Sequence, residues 1–236
     1  MFTDPLTDQD LYWIGYLQAD GCMNSIVGQE YKPGLYRKKG GCVVFAQVHE
    51  EPVQAFLYYV KGEGKVSSRK HGKNSFAKKD ELTGETKGQM YIASSSKPYY
   101  PLLALNLKKE LREDIYESKH FWRGLCDGDG TVAWVKNRGY RYPVIAWSGS
   151  LHDMTRCADW IEGFGYKRPK VGTARSIFRV SVNGSTAVRL IEHLYRGEYS
   201  ALNYKRKIAE ECLIWRTKHS AMVRDKKVAE DLAADL

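Results

Sequence analysis

Two short stretches of the sequence combine small residues with a terminal carboxylate in the same arrangement. They read "WIGYLQADG" at residues 13–21 and "WRGLCDGDG" at residues 122–130, and the Trp, the first Gly and the final Asp-Gly match. Each stretch carries its acid next to last, and the offset from Asp20 to Asp129 is 109 residues. A single repeat at about half the chain length indicates a duplicated domain, not a solenoid.

Helical spacing explains the small residues of both stretches. Residues four apart lie on one face of a helix, and this spacing joins two pairs: Gly15 with Ala19, and Gly124 with Gly128. Stripes of small residues allow two helix backbones to approach closely. If the two helices pack side by side and parallel, Asp20 and Asp129 become neighbours. Helix packing alone would explain one copy, but two copies that both keep the acid favour a shared site.

A pair of neighbouring carboxylates is chemically informative. The two charges repel unless a cation lies between them, and the carboxyl end of a helix adds free carbonyl groups and partial negative charge. An anionic, oxygen-rich site suits Mg²⁺, whose remaining ligands are often waters and substrate phosphate. The chemistry that this site suggests is phosphodiester hydrolysis, because a bound ion polarises the phosphoryl oxygen and activates water.

The composition indicates a basic globular protein with a polyanionic partner. The chain has 236 residues, 43% of them hydrophobic, with 37 Lys and Arg against 28 Asp and Glu and a formal charge of +9. Residues 61–87 hold eight basic and four acidic side chains, which suits phosphate contacts; a solvated basic surface is the alternative.

Compartment and redox state also follow from the sequence. No apolar run has the length of a membrane span, and the N-terminus has no signal-peptide pattern, so an intracellular, non-secreted protein is predicted. The five cysteines form no CxxC pair, so neither a disulfide framework nor a structural zinc site is expected.

The elements between the motifs repeat as well. Thr7 or Asp8 can cap a first helix that runs to about Ala19. Residues 40–50 alternate like a strand, with Phe45 and Gln47 on one face. Each half reads α-β-β-α-β-β-α, which predicts an α+β protein with a first half at 1–110, a second half at 111–217 and a C-terminal tail at 218–236 that is frayed or helical.

The two stretches resemble the paired motifs of single-chain LAGLIDADG homing endonucleases. The second stretch is the closer match, because Gln18 stands in the first where the family usually has an acid and where the second has Asp127. The resemblance covers about residues 6–215. It implies two pseudo-symmetric αββαββα halves, each with an antiparallel four-stranded DNA-binding sheet, packed through the two motif helices.

The resemblance also implies a set of site residues. Asp20 and Asp129 would bind Mg²⁺, with Mn²⁺ or Ca²⁺ able to occupy the same sites, and the carbonyl groups of Ala19 and Gly128 would assist. Lys97 matches the family's basic residue at the scissile phosphate; in the second half Lys205 or Lys207 is a candidate. The expected base or phosphate contacts are Gln47, Arg69, Lys70, Lys136, Arg138, Arg141, Arg175 and Arg179.

The function predicted from the sequence is therefore a site-specific double-strand DNA endonuclease that acts as a pseudo-symmetric monomer. The absence of a matching lysine at the end of the last strand of the second half puts equal cutting of the two strands in question. The alternative is a cleavage-deficient protein of the same fold, either a DNA-binding regulator or an intron RNA maturase. An unrelated metabolic enzyme is a third reading, but the sequence has no Gly-rich nucleotide loop and no His/Cys cluster. The target sequence and the intron-encoded or free-standing origin are left open.

Overall fold

The structure is a computed structural model that describes residues 1–26, 30–32, 35–36, 40–62, 65–70, 89–137, 140–174, 176–197 and 202–214. Arg138, Arg175, the predicted tail at 218–236 and the side chain of Lys70 lie outside the described residues. The chain divides into two compact units, residues 1–129 and 130–236. The first unit includes the second motif helix, so the compact units do not divide at 110/111. The junction at 110/111 marks the boundary of the sequence repeat and stays a prediction.

The first unit contains an antiparallel four-stranded sheet and both motif helices. Its helices are α1 (Asp8–Asp20), α2 (Glu50–Tyr59), α3 (Tyr99–Ala104), α4 (Glu113–Tyr116) and α5 (Lys119–Asp129). Its strands are β1 (Gly21–Ile26), β2 (Glu30–Lys32), β3 (Leu35–Tyr36), β4 (Gly40–Gln47), β5 (Ser67–Lys70) and β6 (Gln89–Ser95). The sheet order is β1-β4-β6-β5, while β2 pairs with β3 inside a segment that the sequence predicted only as a loop.

The second unit repeats the same sheet. Its strands are β7 (Thr131–Asn137), β8 (Tyr140–Gly149), β9 (Gly172–Ala174) and β10 (Ile177–Asn183), in the order β7-β8-β10-β9. Its helices are α6 (Leu151–Gly163), α7 (Gly184–Tyr195) and α8 (203–214). Two antiparallel four-stranded sheets with identical connectivity confirm the predicted α+β fold class and its duplication.

The start of α1 is fixed by a capping box. The Thr7 hydroxyl accepts a hydrogen bond from the backbone N–H of Asp10 at 3.1 Å, and the Asp10 carboxylate accepts from the backbone N–H of Thr7 at 3.1 Å. Thr7 is therefore the cap, which decides between the two predicted residues. The Asp10 carboxylate is buried and also accepts from the Tyr59 hydroxyl and the Phe2 N–H. Burial alone would raise the pKa of Asp10, but these hydrogen bonds outweigh it and lower the pKa.

The core of each unit fixes which face of its sheet meets the helices. In the first unit Phe45 of β4 contacts Tyr16 and Trp13 of α1, with ring centroids 4.9 and 6.0 Å apart. In the second unit Trp147 of β8 contacts Trp160 of α6 at 6.3 Å. Because side chains alternate along a strand, these aromatic contacts identify the helix-facing residues of both sheets.

All five cysteines are free thiols, and Cys126, Cys157 and Cys212 are buried. Burial raises the pKa of the Cys212 thiol to about 11. Within the part of the chain that the structure describes, no helix combines the length and the apolar character needed to cross a membrane. The intracellular location stays a prediction.

Candidate metal and nucleic-acid site

The two motif helices approach each other as closely as their backbones allow. A Cβ atom added at Gly15 of α1 would lie 2.0 Å from the carbonyl oxygen of Phe121 on α5. One added at Gly124 of α5 would lie 1.9 Å from the carbonyl oxygen of Tyr12 on α1. Only glycine fits at either position, so the predicted role of these two residues is confirmed.

The contacts of the helix pair advance in the same direction along both helices, so α1 and α5 are parallel. Near their ends, a Cβ added at Gly128 would lie 2.3 Å from the Ala19 Cβ and 3.0 Å from the Asp20 Oδ2. Asp20 and Asp129 therefore come to the same end of the helix pair, as the sequence predicted. Asp20 is half-buried and Asp129 is exposed.

A side-chain amide orients the carboxylate of Asp20. Gln47 is the last residue of β4 and lies on the helix-facing side of the sheet, two residues beyond Phe45. Its Nε2 donates a hydrogen bond to the Asp20 Oδ2. The sequence predicted Gln47 as a DNA contact, and the structure places it beside the candidate metal ligand.

A lysine that the sequence analysis did not single out lies at the same helix end. The Lys108 Nζ donates to the carbonyl oxygens of Gln18 and Ala19, each at 2.7 Å. These carbonyls belong to the last turn of α1, where helical partners are missing and the helix dipole is negative. A repeated sequence was the available signal, because "LNLK" at 105–108 recurs as "LNYK" at 202–205.

Lys205, the second lysine of this repeat, was a sequence candidate for the second half. Its side chain in α8 is only 4% exposed. Its Nζ donates to the carbonyl oxygen of Gly130 at 3.0 Å, and Gly130 directly follows Asp129 in the chain. A buried ammonium is costly unless its donors are satisfied, so this lysine is held firmly in the second unit.

Lys97 is not brought to this end of α1. Its Nζ donates to the carbonyl oxygen of Lys61, and its side chain lines a cavity of about 400 Å³ together with Thr7 and Asp10. That cavity adjoins the first turn of α1. Asp20 lies ten residues further along the helix, a distance of about 15 Å at 1.5 Å per residue. Lys108, not Lys97, is the lysine that contacts the end of α1.

The motif position at which the two copies differ has a structural role in each. The Oε1 of Gln18 accepts from the backbone N–H of Lys108 at 2.7 Å, and its Nε2 donates to the Lys109 carbonyl at 3.2 Å. Asp127, its counterpart, is 1% exposed and accepts from the Tyr12 hydroxyl at 2.7 Å. Gln18 therefore holds a loop, whereas Asp127 holds the helix pair together.

The residues at the end of α1 and α5 fit a hard divalent cation. No cluster of three or more His, Cys, Asp and Glu side chains occurs among the described residues. Two carboxylates, Asp20 and Asp129, with helix-end carbonyls do occur, and Mg²⁺ commonly uses one or two carboxylates and fills its octahedron with water and phosphate. The ammonium of Lys108 already lies on the Ala19 carbonyl, which shows that this oxygen attracts a cation.

Strand register sorts the predicted DNA contacts by sheet face. Arg69 of β5 is paired with Met90, on the face away from the helices, and is exposed. Arg179 of β10 is paired with Ser148, also on the face away from the helices. These two arginines point from the open faces of their respective sheets.

Lys136 and Arg141 lie on the other side of their sheet. They pair directly across β7 and β8, on the same face as the buried Val132. Like charges directly opposite each other are destabilising. The Arg141 guanidinium lies 4.7 Å from the centre of the Trp134 ring, a cation–π contact that fixes it. Both cations are exposed, and their contact with DNA stays a prediction.

Comparison with known proteins gives a fold. No protein-family model matches the sequence, and no curated protein matches it. The structure is similar to that of the LAGLIDADG meganuclease I-AabMI bound to uncleaved DNA (TM-score 0.52, 11% identity, 90% of this chain and 92% of that chain). It is also similar to the I-LtrWI LAGLIDADG homing endonuclease bound to target DNA (0.54, 11%, 90% and 92%). A third match is I-SmaMI bound to an uncleaved DNA target in the presence of calcium ions (0.54, 12%, 91% and 93%). The chain therefore has the fold of the LAGLIDADG homing endonucleases, and the predicted resemblance is confirmed at that level.

Proposed function

We propose that this protein is a metal-dependent, site-specific endonuclease that cuts both strands of double-stranded DNA. The observation that carries the proposal is the meeting of Asp20 and Asp129 at the end of two helices that only glycines allow to touch. The similar solved structures, which are bound to DNA, support the substrate class. One chain supplies both acids, so we propose that it acts as a monomer.

The proposed ion ligands are Asp20, Asp129 and the carbonyl groups of Ala19 and Gly128. A bound Mg²⁺ would polarise the scissile phosphate, lower the pKa of a bound water and stabilise the leaving oxygen; Ca²⁺ or Mn²⁺ could occupy the same ligands. The similar I-SmaMI structure with calcium supports a divalent ion.

The remaining roles belong to neighbouring side chains. Gln47 fixes the orientation of the Asp20 carboxylate through its amide hydrogen bond. Lys108 carries its positive charge to within 2.7 Å of the Ala19 carbonyl, beside the proposed ion, and we assign it the stabilisation of negative charge on the phosphate. Lys205 is the proposed counterpart in the second half.

The sheets supply DNA affinity. A net charge of +9 favours a polyanion through counterion release. Arg69 and Arg179 are the proposed contacts on the open faces, where an Arg side chain can pair with guanine or phosphate. Lys136 and Arg141 are proposed as phosphate contacts at the hairpin end of β7 and β8. Lys70, Arg138 and Arg175 keep the sequence-based assignment.

The test is cleavage of a plasmid. The plasmid carries the two genomic sequences that flank the reading frame, joined directly to each other with the reading frame removed. With Mg²⁺ we expect linear product from the wild type and none from Asp20→Asn combined with Asp129→Asn. Lys108→Met should slow cleavage strongly, and Lys97→Met, which removes the same charge about 15 Å along α1, should cleave like the wild type.

Cleavage by the double Asn variant would refute the proposal. Tight binding of one DNA or RNA by the wild type without cleavage in Mg²⁺ or Mn²⁺ would instead favour the cleavage-deficient regulator or maturase.

A further inference from the structure

The loop after α3 has an unusual backbone that aims Lys108 at the end of α1. Asn106 and Lys108 both have positive φ angles, +58° and +68°. A side chain with a Cβ seldom adopts this conformation, and such residues persist where the surroundings hold them. Leu105 and Leu107 on either side of Asn106 are buried and anchor the loop.

Gln18 completes this hold from the helix. Its side-chain amide makes two hydrogen bonds to the loop, accepting from the Lys108 N–H and donating to the Lys109 carbonyl. A carboxylate at this position could accept the first bond but could not donate the second. The Gln18 amide therefore fixes the loop through two hydrogen bonds, and the loop in turn positions Lys108.

We propose that Lys108 is a cation built into the end of α1, held there by Gln18, that competes with a divalent ion for the Ala19 carbonyl. The inference rests on the proposed metal site and deepens it. In the ion-free protein the ammonium satisfies the Gln18 and Ala19 carbonyl groups in the last turn of α1. When a divalent ion binds, the ammonium leaves the Ala19 oxygen and turns towards the phosphate. Gln18 is a positioning residue that acts through Lys108.

Electrostatics require the competition. An ammonium 2.7 Å from the Ala19 oxygen and an ion about 2.1 Å from the same oxygen would lie only a few ångströms apart. Like charges at that separation repel strongly in and near a protein. The side chain of Lys108 is exposed, so it can leave without opening the core.

The test measures Mn²⁺ binding to the full-length chain without DNA, from the electron paramagnetic resonance signal of free Mn²⁺. We expect Lys108→Met to bind Mn²⁺ about 3- to 10-fold more tightly than the wild type, the range for a charge near a helix end. Lys109→Met removes the same charge one residue later and should bind within about twofold of the wild type. Asp20→Asn should abolish the binding, which assigns the ion to this site.

A double-mutant cycle tests Gln18. Gln18→Ala should tighten Mn²⁺ binding in the wild-type background and change nothing in the Lys108→Met background, because its effect passes through the lysine. An equal effect of Gln18→Ala in both backgrounds would show that it acts independently and would overturn the positioning role.

The remaining outcomes also decide the question. Unchanged or weaker Mn²⁺ binding by a folded Lys108→Met protein overturns the competition, as does the absence of Mn²⁺ binding by both proteins. Tighter ion binding together with slower DNA cleavage supports it, because general damage would weaken both. If the wild type cuts DNA and the Lys108→Met protein binds Mn²⁺ with the same affinity as the wild type, the proposed competition fails and the nuclease proposal stands. If ion affinities shift as expected but no DNA is cut, the inference stands and the nuclease proposal fails.

Discussion

Replacing Gly15 by Ala is expected to force α1 and α5 apart. The added Cβ would lie 2.0 Å from the Phe121 carbonyl oxygen, and a backbone oxygen cannot rotate away as the end of a side chain can. Close carbon–oxygen contacts across a helix interface are about 3.3–3.6 Å. The two helices would therefore have to separate by about 1.3–1.6 Å, at the point where their packing sets the positions of both acids.

The cost follows from this overlap. Overpacking a close-packed interface costs about 1–3 kcal/mol and at times more, and a clash with backbone belongs at the upper end. Ala is about 1 kcal/mol better than Gly within a helix, so the expected net loss in the free energy of unfolding is about 2 kcal/mol. For a chain of 236 residues this lowers Tm by about 4–8 °C.

A matched control lies in the second unit. Gly163 ends α6, and a Cβ added there would meet no atom within 4 Å. Gly163→Ala should leave stability unchanged or raise it by up to about 1 kcal/mol. Urea denaturation followed by Trp fluorescence measures both variants. A Gly15→Ala protein as stable as the wild type would refute the close approach of the two helices.

Three further predictions concern the same framework. Asp10→Asn should lower the free energy of unfolding at pH 7 by about 2 kcal/mol. The pKa of Asp10 is lowered in the folded protein, so the stabilisation by its carboxylate is present above about pH 4 and is lost at lower pH. Urea denaturation repeated at decreasing pH should therefore show a shrinking difference between the variant and the wild type. Tyr12→Phe removes the hydroxyl that donates to the buried Asp127 and should cost about 2 kcal/mol by the same measurement. Arg179→Gln should reduce the slope of DNA affinity against salt by about one, measured by fluorescence anisotropy, and an unchanged slope would remove it from the interface.

The pairing of the two acids could be predicted from the sequence because glycine leaves few alternatives, whereas the fold was implied by the resemblance of the two motifs to LAGLIDADG motifs. Gly15 and Gly124 each lie one helical turn before another small residue. This spacing places small residues on one face of each helix, which allows the two helices to pack closely. Once the helices are parallel, the matched spacing of the two motifs brings Asp20 and Asp129 together. These inferences need only the periodicity of a helix, which is a local property.

The lysine could not be placed by local reasoning. Lys97 follows β6 directly, and the family's pattern favours a basic residue at the end of a strand. Lys108 reaches the site through a loop with two positive φ angles, Asn106 and Lys108 itself. Local propensity tolerates such an angle at Asn106 but does not predict one at Lys108. The repeat of "LNLK" as "LNYK" is a longer-range signal that draws attention to both Lys108 and Lys205.

The sheet faces could have been read further than they were. Val132, Trp134 and Lys136 are every second residue of β7 and therefore share one face of the sheet. Because Val132 is buried, that face is the helix-facing one. The resemblance suggested Lys136 only as a base or phosphate contact, without assigning it to a face of the sheet. The same parity identifies Gln47 as a neighbour of α1, because Phe45 is the core residue two positions earlier.

The two sheets share their strand order but differ at the position that orients Asp20 in the first half, which predicts unequal cutting of the two strands. Phe45 and Trp147 occupy equivalent positions, paired with Ala93 and Val180 respectively. Two residues further along, Gln47 orients Asp20, whereas Gly149 has no side chain with which to do the same.

Strand-specific labels on a supercoiled plasmid should therefore show one strand cut first and a nicked intermediate that accumulates. Gln47→Gly should slow the faster strand and bring the two rates together, because it makes the two positions alike. Equal strand rates in the wild type would refute the argument. The glycine contacts hold α1 and α5 together in the same way at both motifs, so the expected difference in rate has to come from side chains such as Gln47.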